Sequence, residues 1–512
     1  MKQKVTHVAI VGGGVSGICA ATKLAKKFLE HNPRGTDQKL EIVIIDPNPK
    51  LGGPLYNTGS INALLAQPFD EIDLPAIHKR RASIHNPDQI TYSDYGKYLR
   101  QHLKEMCQYL DENKASVQIH GERSEGDIKI PYLRAEVLDA HVKGDHAELE
   151  LSTGKTLKAD VVVLATGNPL PENLRDSKGT PLSNYPGYYR SYQEGLAPDK
   201  LNETDNIALI GMGAGAHTFA ASAIRNGYKG NILLASRRGK SPECEPPPDK
   251  RPSRSYTFRY FTLEALNAMK AQNGNVTADQ FWELFLKETH HAAPLGFKRR
   301  EVADACFDYF NDMNRMMSVE ERAKFAEKYG ADWNFMTNRI PEIHRKILSN
   351  LCVEGRTNYR EKIASIDHLE GGGFSITFDD GKVPPQITVP KIVNCTGPSV
   401  QLADMSPLLR KMQEHGLVTQ HPLAGINVDE KLHVKDYNGT SSKTLYALGP
   451  PTQGEFFESV SIPAIKLCAD TLVESIMYDH NLGRFSGEGM SGSIAGNRGT
   501  GRTGSKGKGH EK

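Results

Sequence analysis

The residues Val8-Ala-Ile-Val-Gly12-Gly-Gly14-Val-Ser-Gly17-Ile-Cys-Ala-Ala decide the fold class of this chain. An apolar run that predicts a β-strand leads into a G-x-G-x-x-G pattern, and small residues typical of a buried helix follow. In such a unit Gly12 permits the tight turn, Gly14 permits close approach of a pyrophosphate, and Gly17 permits close packing of the helix on the strand. The helix N-terminus adds partial positive charge. The stretch therefore predicts a dinucleotide-binding site.

An acidic residue at the end of the next predicted strand completes this unit. The apolar run Leu40-Glu-Ile-Val-Ile-Ile45 predicts a second strand, and Asp46 follows it directly. A carboxylate at this position accepts hydrogen bonds from ribose hydroxyls. Asp46 lies 29 residues after Gly17 instead of about 20, and the polar stretch 31–39 explains the difference as a longer helix–strand loop. A glycine turn that serves packing alone is the alternative.

A second glycine pattern, Ile210-Gly211-Met-Gly213-Ala-Gly-Ala216, follows another predicted strand and has alanine in the permitted third position. The next predicted strand ends in Ser236-Arg237-Arg238-Gly239 rather than in an acid. An acid would repel a 2′-phosphate, whereas guanidinium groups bind one through charge-assisted hydrogen bonds. The pattern favours NADPH over NADH, with Ser236, Arg237 and Arg238 as contacts. A solvated arginine pair at a strand end is the alternative.

The two glycine patterns begin two copies of one order of elements. Each copy continues through hairpin-like strands, at 133–157 and 359–378, and closes on an apolar strand that ends in Thr166-Gly167 or Thr396-Gly397. Small residues are needed where the chain passes close to a cofactor, so these four are cofactor-binding candidates, with a plain strand-to-loop turn as the alternative. The order predicts an α/β fold with two Rossmann-like dinucleotide-binding domains, the second inserted into the first.

An acid in one site and arginines in the other suggest a hydride path in which NADPH in the second site reduces FAD in the first.

The apolar residues of the region 262–350 recur at helical spacing, with predicted capping boxes at Thr277-Ala-Asp-Gln280 and Ser318-Val-Glu-Glu321. The Gly-, Ser-, Lys- and Arg-rich end is predicted to be disordered. The predicted segments are 1–204 and 398–482 for the FAD domain, 205–261 and 351–397 for the NADPH domain, 262–350 for the helical insertion, and 483–512 for the basic tail.

The composition excludes several classes of protein. The chain has 512 residues, and its net charge of +2 gives no reason to expect a nucleic-acid partner. No apolar run approaches the roughly 18 residues of a membrane span. Seven scattered cysteines without a C-x-x-C pair indicate reduced thiols and a cytoplasmic location. No histidine spacing indicates a metal site, and no feature indicates an oligomeric state.

Four further features carry a resemblance to a known family. They are Leu51-Gly-Gly-Pro-Leu-Tyr56 with Ala63-Leu-Leu-Ala-Gln-Pro68, Asp94-Tyr-Gly-Lys-Tyr-Leu-Arg100, Ser236-Arg-Arg-Gly239, and Leu445-Tyr-Ala-Leu-Gly449 with Phe457-Glu-Ser-Val-Ser-Ile-Pro-Ala-Ile465. With them, residues 5–480 resemble the two-dinucleotide-domain flavoproteins, most closely the FAD/NAD(P)-binding family often called YdhS-like. The resemblance implies FAD contacts from Gly53, Tyr56, Gln67, Gly449 and Ile462. The chain departs from the pattern at Ala66-Gln67, where an asparagine is expected, and at Pro450, where many relatives carry an acid.

The resemblance extends to flavin-dependent N-hydroxylating monooxygenases and so implies a reaction. We expect a monooxygenase that acts through a flavin hydroperoxide, with NADPH, molecular oxygen and a small amine or amino-acid-like substrate. The F-x-G-x-x-x-H fingerprint of carbonyl-oxygenating relatives is missing after Gly167. The absence of a cysteine pair disfavours a sulfur relay, and Cys395 is better interpreted as a buried, inert thiol.

Two alternatives to the monooxygenase stay open. One is an NAD(P)H-dependent flavin reductase or dehydrogenase that passes electrons to a quinone or a protein. The other is a non-catalytic flavoprotein scaffold that recruits partners through the helical insertion and the basic tail. No catalytic side chain is identified, because in flavin chemistry the cofactor does much of the work.

Overall fold

Two mainly parallel β-sheets carry the two glycine turns in the computed structural model of the chain. The structure describes residues 4–32, 37–57, 63–75, 89–123, 130–195, 204–245 and 256–483. Apart from Gly483, the predicted basic tail lies outside these residues. Within this described part, no helix is both long and apolar enough to cross a membrane.

The elements follow in three groups along the chain. The chain before the second glycine turn contains β1 (Lys4–Val11), α1 (Val15–His31), β2 (Gln38–Ile45), α2 (Phe69–Ile72), α3 (Tyr92–Glu112), β3 (Val117–His120), β4 (Glu122–Arg123), β5 (Pro131–Tyr132), β6 (Val137–Lys143), β7 (His146–Leu151), β8 (Thr156–Ala159), β9 (Val161–Leu164), β10 (Tyr188–Tyr189) and α4 (Tyr192–Gly195). The middle group contains β11 (Ile207–Ile210), α5 (Ala214–Arg225), β12 (Ile232–Ser236), α6 (Leu263–Asn273), α7 (Ala278–Ala292), α8 (Arg299–Ala305), α9 (Phe310–Asn314), α10 (Val319–Lys328), α11 (Gly330–Thr337) and α12 (Glu342–Val353). The last group contains β13 (Thr357–Glu361), β14 (Ile363–His368), β15 (Phe374–Phe378), β16 (Gln386–Val389), β17 (Lys391–Asn394), α13 (Pro407–Glu414), β18 (His433–Lys435), β19 (Ser441–Ala447) and α14 (Ile462–Asp479).

The first sheet has the strand order β18-β19-β9-β1-β2-β3. β1 pairs in parallel with β2 on one side and with β9 on the other, so that Val8 is in register with Ile42 and Val161. β9 is completely buried, as expected for a parallel strand covered on both faces. α1 packs on α14, where Lys23 Nζ donates a hydrogen bond to the Lys466 carbonyl oxygen at 2.8 Å. The turn after β1 therefore lies at the carboxyl ends of neighbouring parallel strands, where such sheets bind ligands.

The second sheet repeats this arrangement in the order β10-β17-β11-β12-β13. Ile210 at the end of the central strand β11 is in register with Ala235 of β12 and Asn394 of β17. Before its closing strand, each copy forms a three-stranded antiparallel sheet, β6-β7-β8 or β14-β15-β16. The predicted α/β fold with two dinucleotide-binding units is confirmed. Tyr359, grouped with the hairpin strands in the sequence, instead lies in β13, which pairs in parallel with β12.

Helices α6 to α11 enclose an aromatic core of their own. Trp333 stacks on Phe310 with 4.0 Å between ring centroids, and both side chains are completely buried. These aromatic residues pack on one another and act as core. α12 instead packs on α5 through Leu348 and Leu351, in the core of the second sheet, and connects β12 to β13. The end of the insertion at residue 350 stays a prediction. The packing of α12 on α5 favours a boundary earlier in the chain.

One predicted capping box forms completely and the other forms in part. Thr277 Oγ1 accepts from the Gln280 N–H at 3.2 Å, and Gln280 Oε1 accepts from the Thr277 N–H at 3.0 Å. Ser318 Oγ accepts from the Glu321 N–H at 3.3 Å, but the Glu321 carboxylate accepts from the Ala278 N–H at 2.8 Å. The second box is incomplete because its glutamate joins α10 to the start of α7.

Candidate functional site

The first glycine turn joins β1 to α1, and packing requires two of its glycines. Gly12 has a φ of +112°, and a Cβ there would lie 2.2 Å from the Ala165 carbonyl oxygen just after β9. A Cβ on Gly17 would lie 1.9 Å from the Gly12 carbonyl oxygen. Both distances are far below van der Waals contact, so a side chain at either position would force the turn apart. At these two positions the glycine pattern serves the packing of the turn.

Gly14 is not required by packing. Its φ of −79° suits any residue, and a Cβ there would meet only the Gly53 Cα, at 3.9 Å. Gly53 faces it with a φ of +88°. The space beside these two glycines adjoins the N-terminus of α1, whose unpaired N–H groups favour an anion. This open backbone suits a pyrophosphate.

Asp46 follows β2 and lies buried beneath the turn. Its Oδ2 accepts a hydrogen bond from the Gly13 N–H at 2.7 Å. Its Oδ1 accepts from the Asn48 backbone N–H at 2.9 Å and from the Asn48 side-chain amide at 2.8 Å. A carboxylate accepts about four hydrogen bonds. Asp46 therefore organises the turn and keeps acceptor capacity for a ribose hydroxyl.

The segment that begins at Gly52 lies over the first turn. The Gly52 N–H donates to the Gly13 carbonyl oxygen at 2.8 Å. Tyr56 crosses α3 at Gly96, where a Cβ would lie 2.5 Å from the Tyr56 carbonyl oxygen. α3 thus holds the predicted flavin-contact segment beside the turn. Gln67 is half-buried just before α2, and its contact with FAD stays a prediction.

The remaining residues predicted to contact FAD approach from other strands. Gly449 follows β19 with a φ of +82°, and a Cβ there would lie 2.3 Å from Ser16 Oγ of α1. Ile462 begins α14 and is buried. Thr166, just after β9, has a buried Oγ1 that finds no hydrogen-bond partner in the described residues, and Gly167 has open space where its Cβ would lie. A buried hydroxyl without a partner costs free energy, so Thr166 and the open turn fit a bound dinucleotide.

The second glycine turn repeats the geometry of the first. Gly211 has a φ of +108°, and a Cβ there would lie 2.2 Å from the Cys395 carbonyl oxygen just after β17. Ala216 in the third position is completely buried against the sheet. Gly213 has a φ of −74°, and a Cβ there would meet nothing within 4 Å. Gly213 is therefore the counterpart of the open glycine in the first turn.

In the second Thr-Gly pair, unlike the first, the threonine hydroxyl has a hydrogen-bond partner among the described residues. Thr396 Oγ1 donates a hydrogen bond to Asn394 Oδ1 at 2.7 Å, so its hydroxyl is satisfied within the chain. Gly397 has a φ of +95° and open space where a Cβ would lie. The open backbone at Gly397 fits an approaching ligand, while a cofactor contact from Thr396 stays a prediction.

The side chains of Ser236 and Arg237, at the end of β12, make different contacts. Ser236 Oγ accepts from the Gly239 N–H at 3.0 Å and closes the turn. Arg237 is exposed, and its guanidinium forms no ion pair with a described carboxylate. A free guanidinium at this strand end matches the predicted contact with a 2′-phosphate.

Arg238 faces the helical insertion, which the sequence did not reveal. Its Nη2 donates to the Glu327 carbonyl oxygen near the end of α10 at 2.9 Å. It also lines an open cavity of about 710 Å³ together with Lys324 and Lys328 of α10. Glu321 and Asp279 line the same cavity and pair with Lys324 at 2.6 Å and with Lys328 at 2.8 Å. The insertion therefore places balanced ion pairs beside the predicted phosphate contact.

Three tyrosines connect the two glycine turns. Tyr56, in the segment over the first turn, lies 5.5 Å from Tyr92 between ring centroids. Burial and the nearby Tyr192 hydroxyl raise the pKa of both side chains. The Tyr192 ring lies against Gly215 at the start of α5, where a Cβ would be 3.0 Å from Tyr192 Cε1. The two dinucleotide units therefore meet at the ends that carry their glycine turns.

Glu458 is a buried carboxyl that no sequence pattern singled out. Trp333 Nε1 of the insertion donates to its Oε1 at 2.7 Å, and Asn311 exchanges two hydrogen bonds with its backbone, at 2.8 and 2.9 Å. Burial raises the pKa of Glu458 to about 7. Its loop leads into α14, so it links the insertion to the predicted flavin face. No local pattern identifies it, because its burial depends on packing against α9 and α11.

Comparison with known proteins agrees with this geometry. Residues 9–169 match a family model described as FAD-NAD(P)-binding. This part of the chain, which contains the first glycine turn, Asp46 and Thr166, is thus an FAD-NAD(P)-binding domain. No curated protein matches the sequence.

Several solved structures share the fold. An ornithine N-hydroxylase from Kutzneria sp. 744, with reduced FAD, NADP⁺ and L-ornithine, is 14% identical with a TM-score of 0.56 and covers 93% of this chain and 100% of its own. The reduced ornithine hydroxylase from Pseudomonas aeruginosa is 14% identical with a TM-score of 0.55 and the same coverage. The FAD-bound cadaverine monooxygenase from Erwinia amylovora is 14% identical with a TM-score of 0.53, covering 92% of this chain and 94% of its own. The chain therefore has the fold of the two-dinucleotide-domain flavoproteins, with FAD and NAD(P) as its class of cofactor.

Substitution of the open glycines should weaken ligand binding without disturbing the packing of the turns. Gly14→Ala should leave the free energy of unfolding of the cofactor-free protein nearly unchanged, because its Cβ meets only one atom, at 3.9 Å. It should raise the Kd for FAD at least about tenfold, or 1.4 kcal/mol, because the methyl group fills the space beside the helix N-terminus. Gly213→Ala should act in the same way on NADPH. Flavin fluorescence titration of deflavinated protein measures the first effect. An unchanged FAD affinity in Gly14→Ala would contradict the assignment, and Gly17→Ala is the control that should lose stability as well.

Glu458 should make stability depend on pH. Its folded pKa of about 7 exceeds the ordinary value of 4.5, so between these pH values only the folded state holds the proton. The free energy of unfolding should therefore fall as pH rises from 4.5 to 7, by about 3 kcal/mol in total, and stay lower above pH 7. Glu458→Gln should abolish this fall.

Urea unfolding at pH 5 and pH 8 measures the effect. Fluorescence reports on the insertion selectively, because the two tryptophans of the chain, Trp282 and Trp333, both lie in its core. The control Glu264→Gln, on the exposed surface of α6, should keep the fall. Equal pH dependence in the wild type and in Glu458→Gln would show that the carboxyl does not titrate in this range.

Proposed function

We propose that this chain is an FAD-dependent oxidoreductase reduced by NADPH, and that it acts as a monooxygenase on a small amine or amino-acid-like substrate with molecular oxygen. The approach of Tyr56 and Tyr92 to Tyr192, whose ring packs on Gly215 of the second turn, carries the proposal. Hydride transfer needs the two reacting groups held together in a fixed orientation. Glycine turns that face a shared boundary meet this need.

Bound FAD supplies the electron-transfer and oxygen chemistry, and the residues of the chain bind the cofactors, orient them and exclude water. Tyr56, Tyr92 and Tyr192 form an apolar boundary between the two turns. Burial raises the pKa of Tyr192 to about 12, so its hydroxyl stays protonated at neutral pH.

The state of the cysteines supports an electron acceptor other than a cysteine of this chain. All seven are free thiols. Cys395, the one nearest the second turn, is buried, and burial raises its pKa well above the ordinary value. A thiol relay needs an accessible thiolate. Cys395 is therefore poorly suited to relay electrons, which favours oxygen or an organic acceptor for the electrons that bound FAD would supply.

The substrate class rests on the fold neighbours. The three structures described above carry the names of ornithine and cadaverine oxygenases, which is consistent with an amine or amino acid. Membership in the YdhS-like family, the segment boundaries and a cytoplasmic location remain predictions.

The arginines after β12 should set the choice of nicotinamide cofactor. Arg237→Ala and Arg238→Ala should each raise the KM for NADPH about 10- to 100-fold, because a charged hydrogen bond contributes about 1.5–3 kcal/mol, and should leave the KM for NADH unchanged. Steady-state flavin reduction with both nicotinamides measures the ratio. Lys270→Ala on the exposed surface of α6 is a matched control for loss of a cation. An unchanged NADPH/NADH ratio in Arg237→Ala would refute the phosphate contact.

A substrate screen tests the reaction itself. Purified flavoprotein should oxidise NADPH and consume oxygen faster in the presence of one amine or amino acid, and mass spectrometry should find that compound heavier by one oxygen atom. Rapid quinone reduction without an oxygenated product would replace the monooxygenase with the reductase alternative. If neither NADPH nor NADH bleaches the flavin, the chain is a non-catalytic scaffold.

A further inference from the structure

Two histidines and a buried carboxylate meet where α13 packs against β6. Asp139 and His141 are two residues apart on β6, so their side chains leave the same face of the strand. His415 follows α13 directly and approaches from the other side. Asp139 Oδ2 lies 3.3 Å from His415 Nε2 and 4.0 Å from His141 Nε2. The cluster takes no part in the dinucleotide sites described above.

A second carboxylate completes a set of four possible ligands. Glu150 of β7 is in register with Asp139, and its Oε1 lies 3.5 Å from His141 Nε2. In a tetrahedral zinc site with metal–ligand bonds of about 2.0–2.1 Å, neighbouring ligand atoms are about 3.3–3.4 Å apart. Among the described residues, ligand atoms of Asp139, His141 and His415 all lie within 4.8 Å of one another, so small side-chain movements would bring these three to that spacing. Glu150 approaches only His141, and its side chain is 54% exposed.

The contacts are not those of an ordinary hydrogen-bonded cluster. Among the described residues, neither His141 nor His415 donates a well-aligned hydrogen bond to the Asp139 carboxylate, although both ring nitrogens lie within 4.0 Å of it. The two imidazole rings are nearly perpendicular, with 5.1 Å between centroids. Ring nitrogens and carboxylate oxygens that point to a common centre are the donors that zinc prefers.

We propose that Asp139, His141 and His415 form a structural site for a divalent zinc-like cation, and that the exposed side chain of Glu150 turns in as the fourth ligand. Lys411 Nζ lies 3.7 Å from Asp139 Oδ2, and half of its side chain is exposed. This flexible side chain neutralises the carboxylate without metal and turns out to solvent when the metal binds. Four protein ligands leave no open position, which is the coordination of a structural site rather than a catalytic one.

The position of the ligands gives the metal a role in the fold. β6 and β7 precede the second sheet in the chain, whereas α13 follows it. A bound cation would join the two separated parts of the first dinucleotide unit, where the chain returns from the second. The sequence predicted no metal site, because the ligands come from distant parts of the chain with no recognisable spacing.

Zinc binding to the full-length flavoprotein tests the proposal. Chelator-treated protein should bind one equivalent of Zn²⁺ in competition with a chromophoric chelator, and Zn²⁺ should raise the Tm. His141→Gln and His415→Gln should each raise the Kd for Zn²⁺ at least tenfold and abolish the shift in Tm. His290→Gln, an exposed histidine of α7, should change neither. Retained flavin absorbance and far-UV circular dichroism show that each variant is folded.

The visible absorption of bound Co²⁺ tests the coordination geometry separately. Co²⁺ in place of Zn²⁺ should give the intense visible absorption of a tetrahedral site in difference spectra, and Glu150→Gln should reduce it without altering flavin absorbance. Equal Zn²⁺ affinity in His141→Gln, His415→Gln and His290→Gln, or the absence of saturable binding, would overturn the proposal and leave a cluster of histidine–carboxylate ion pairs. Neither outcome depends on the proposed oxidoreductase activity.

Discussion

A carbonyl oxygen at the end of a closing strand leaves no room for a side chain on the first glycine of each turn, and the rest of the structure depends on this constraint. It occurs at Gly12 against Ala165 and at Gly211 against Cys395, with the same 2.2 Å between the carbonyl oxygen and the position of a Cβ. Because the turn lies directly on the closing strand, the following helix begins at the carboxyl edge of the sheet. Its free N–H groups then face the space where a dinucleotide phosphate binds.

The two copies meet where Tyr56 and Tyr92 approach Tyr192 of α4, which packs on α5. The helical insertion contacts both copies. It holds Arg238 of the second copy at Glu327 and encloses Glu458 of the first with Trp333. A layer with its own aromatic core, tied to both units, is suited to fix their relative position. Its aromatic residues are packed inward, so a substrate would contact its polar edges rather than its core.

Much of the fold and part of the candidate site follow from local patterns. Both strand–turn–helix units and the placement of Asp46 after β2 depend on residues close in sequence, so their spacing was informative. The two Thr-Gly pairs, however, have different surroundings. The Thr166 hydroxyl has no partner in the part of the chain that the structure describes, whereas the Thr396 hydroxyl donates to Asn394. Only the neighbouring side chain makes the difference. The parallel pairing of β13, the attachment of α12 to α5 and the incomplete cap at Ser318 likewise depend on elements that lie beside them in space.

The sequence by itself determined two nucleotide-binding units, because glycine spacing, strand periodicity and the residue at a strand end act over short distances. It did not separate the glycines that packing requires, such as Gly12, from those that leave room for a ligand, such as Gly14. Only the tertiary structure decided this, since the difference is what lies opposite each Cα. The burial of Glu458 and the meeting of His141 with His415 were decided in the same way. Contacts between residues far apart in the chain arise from packing of whole elements, which no local pattern records.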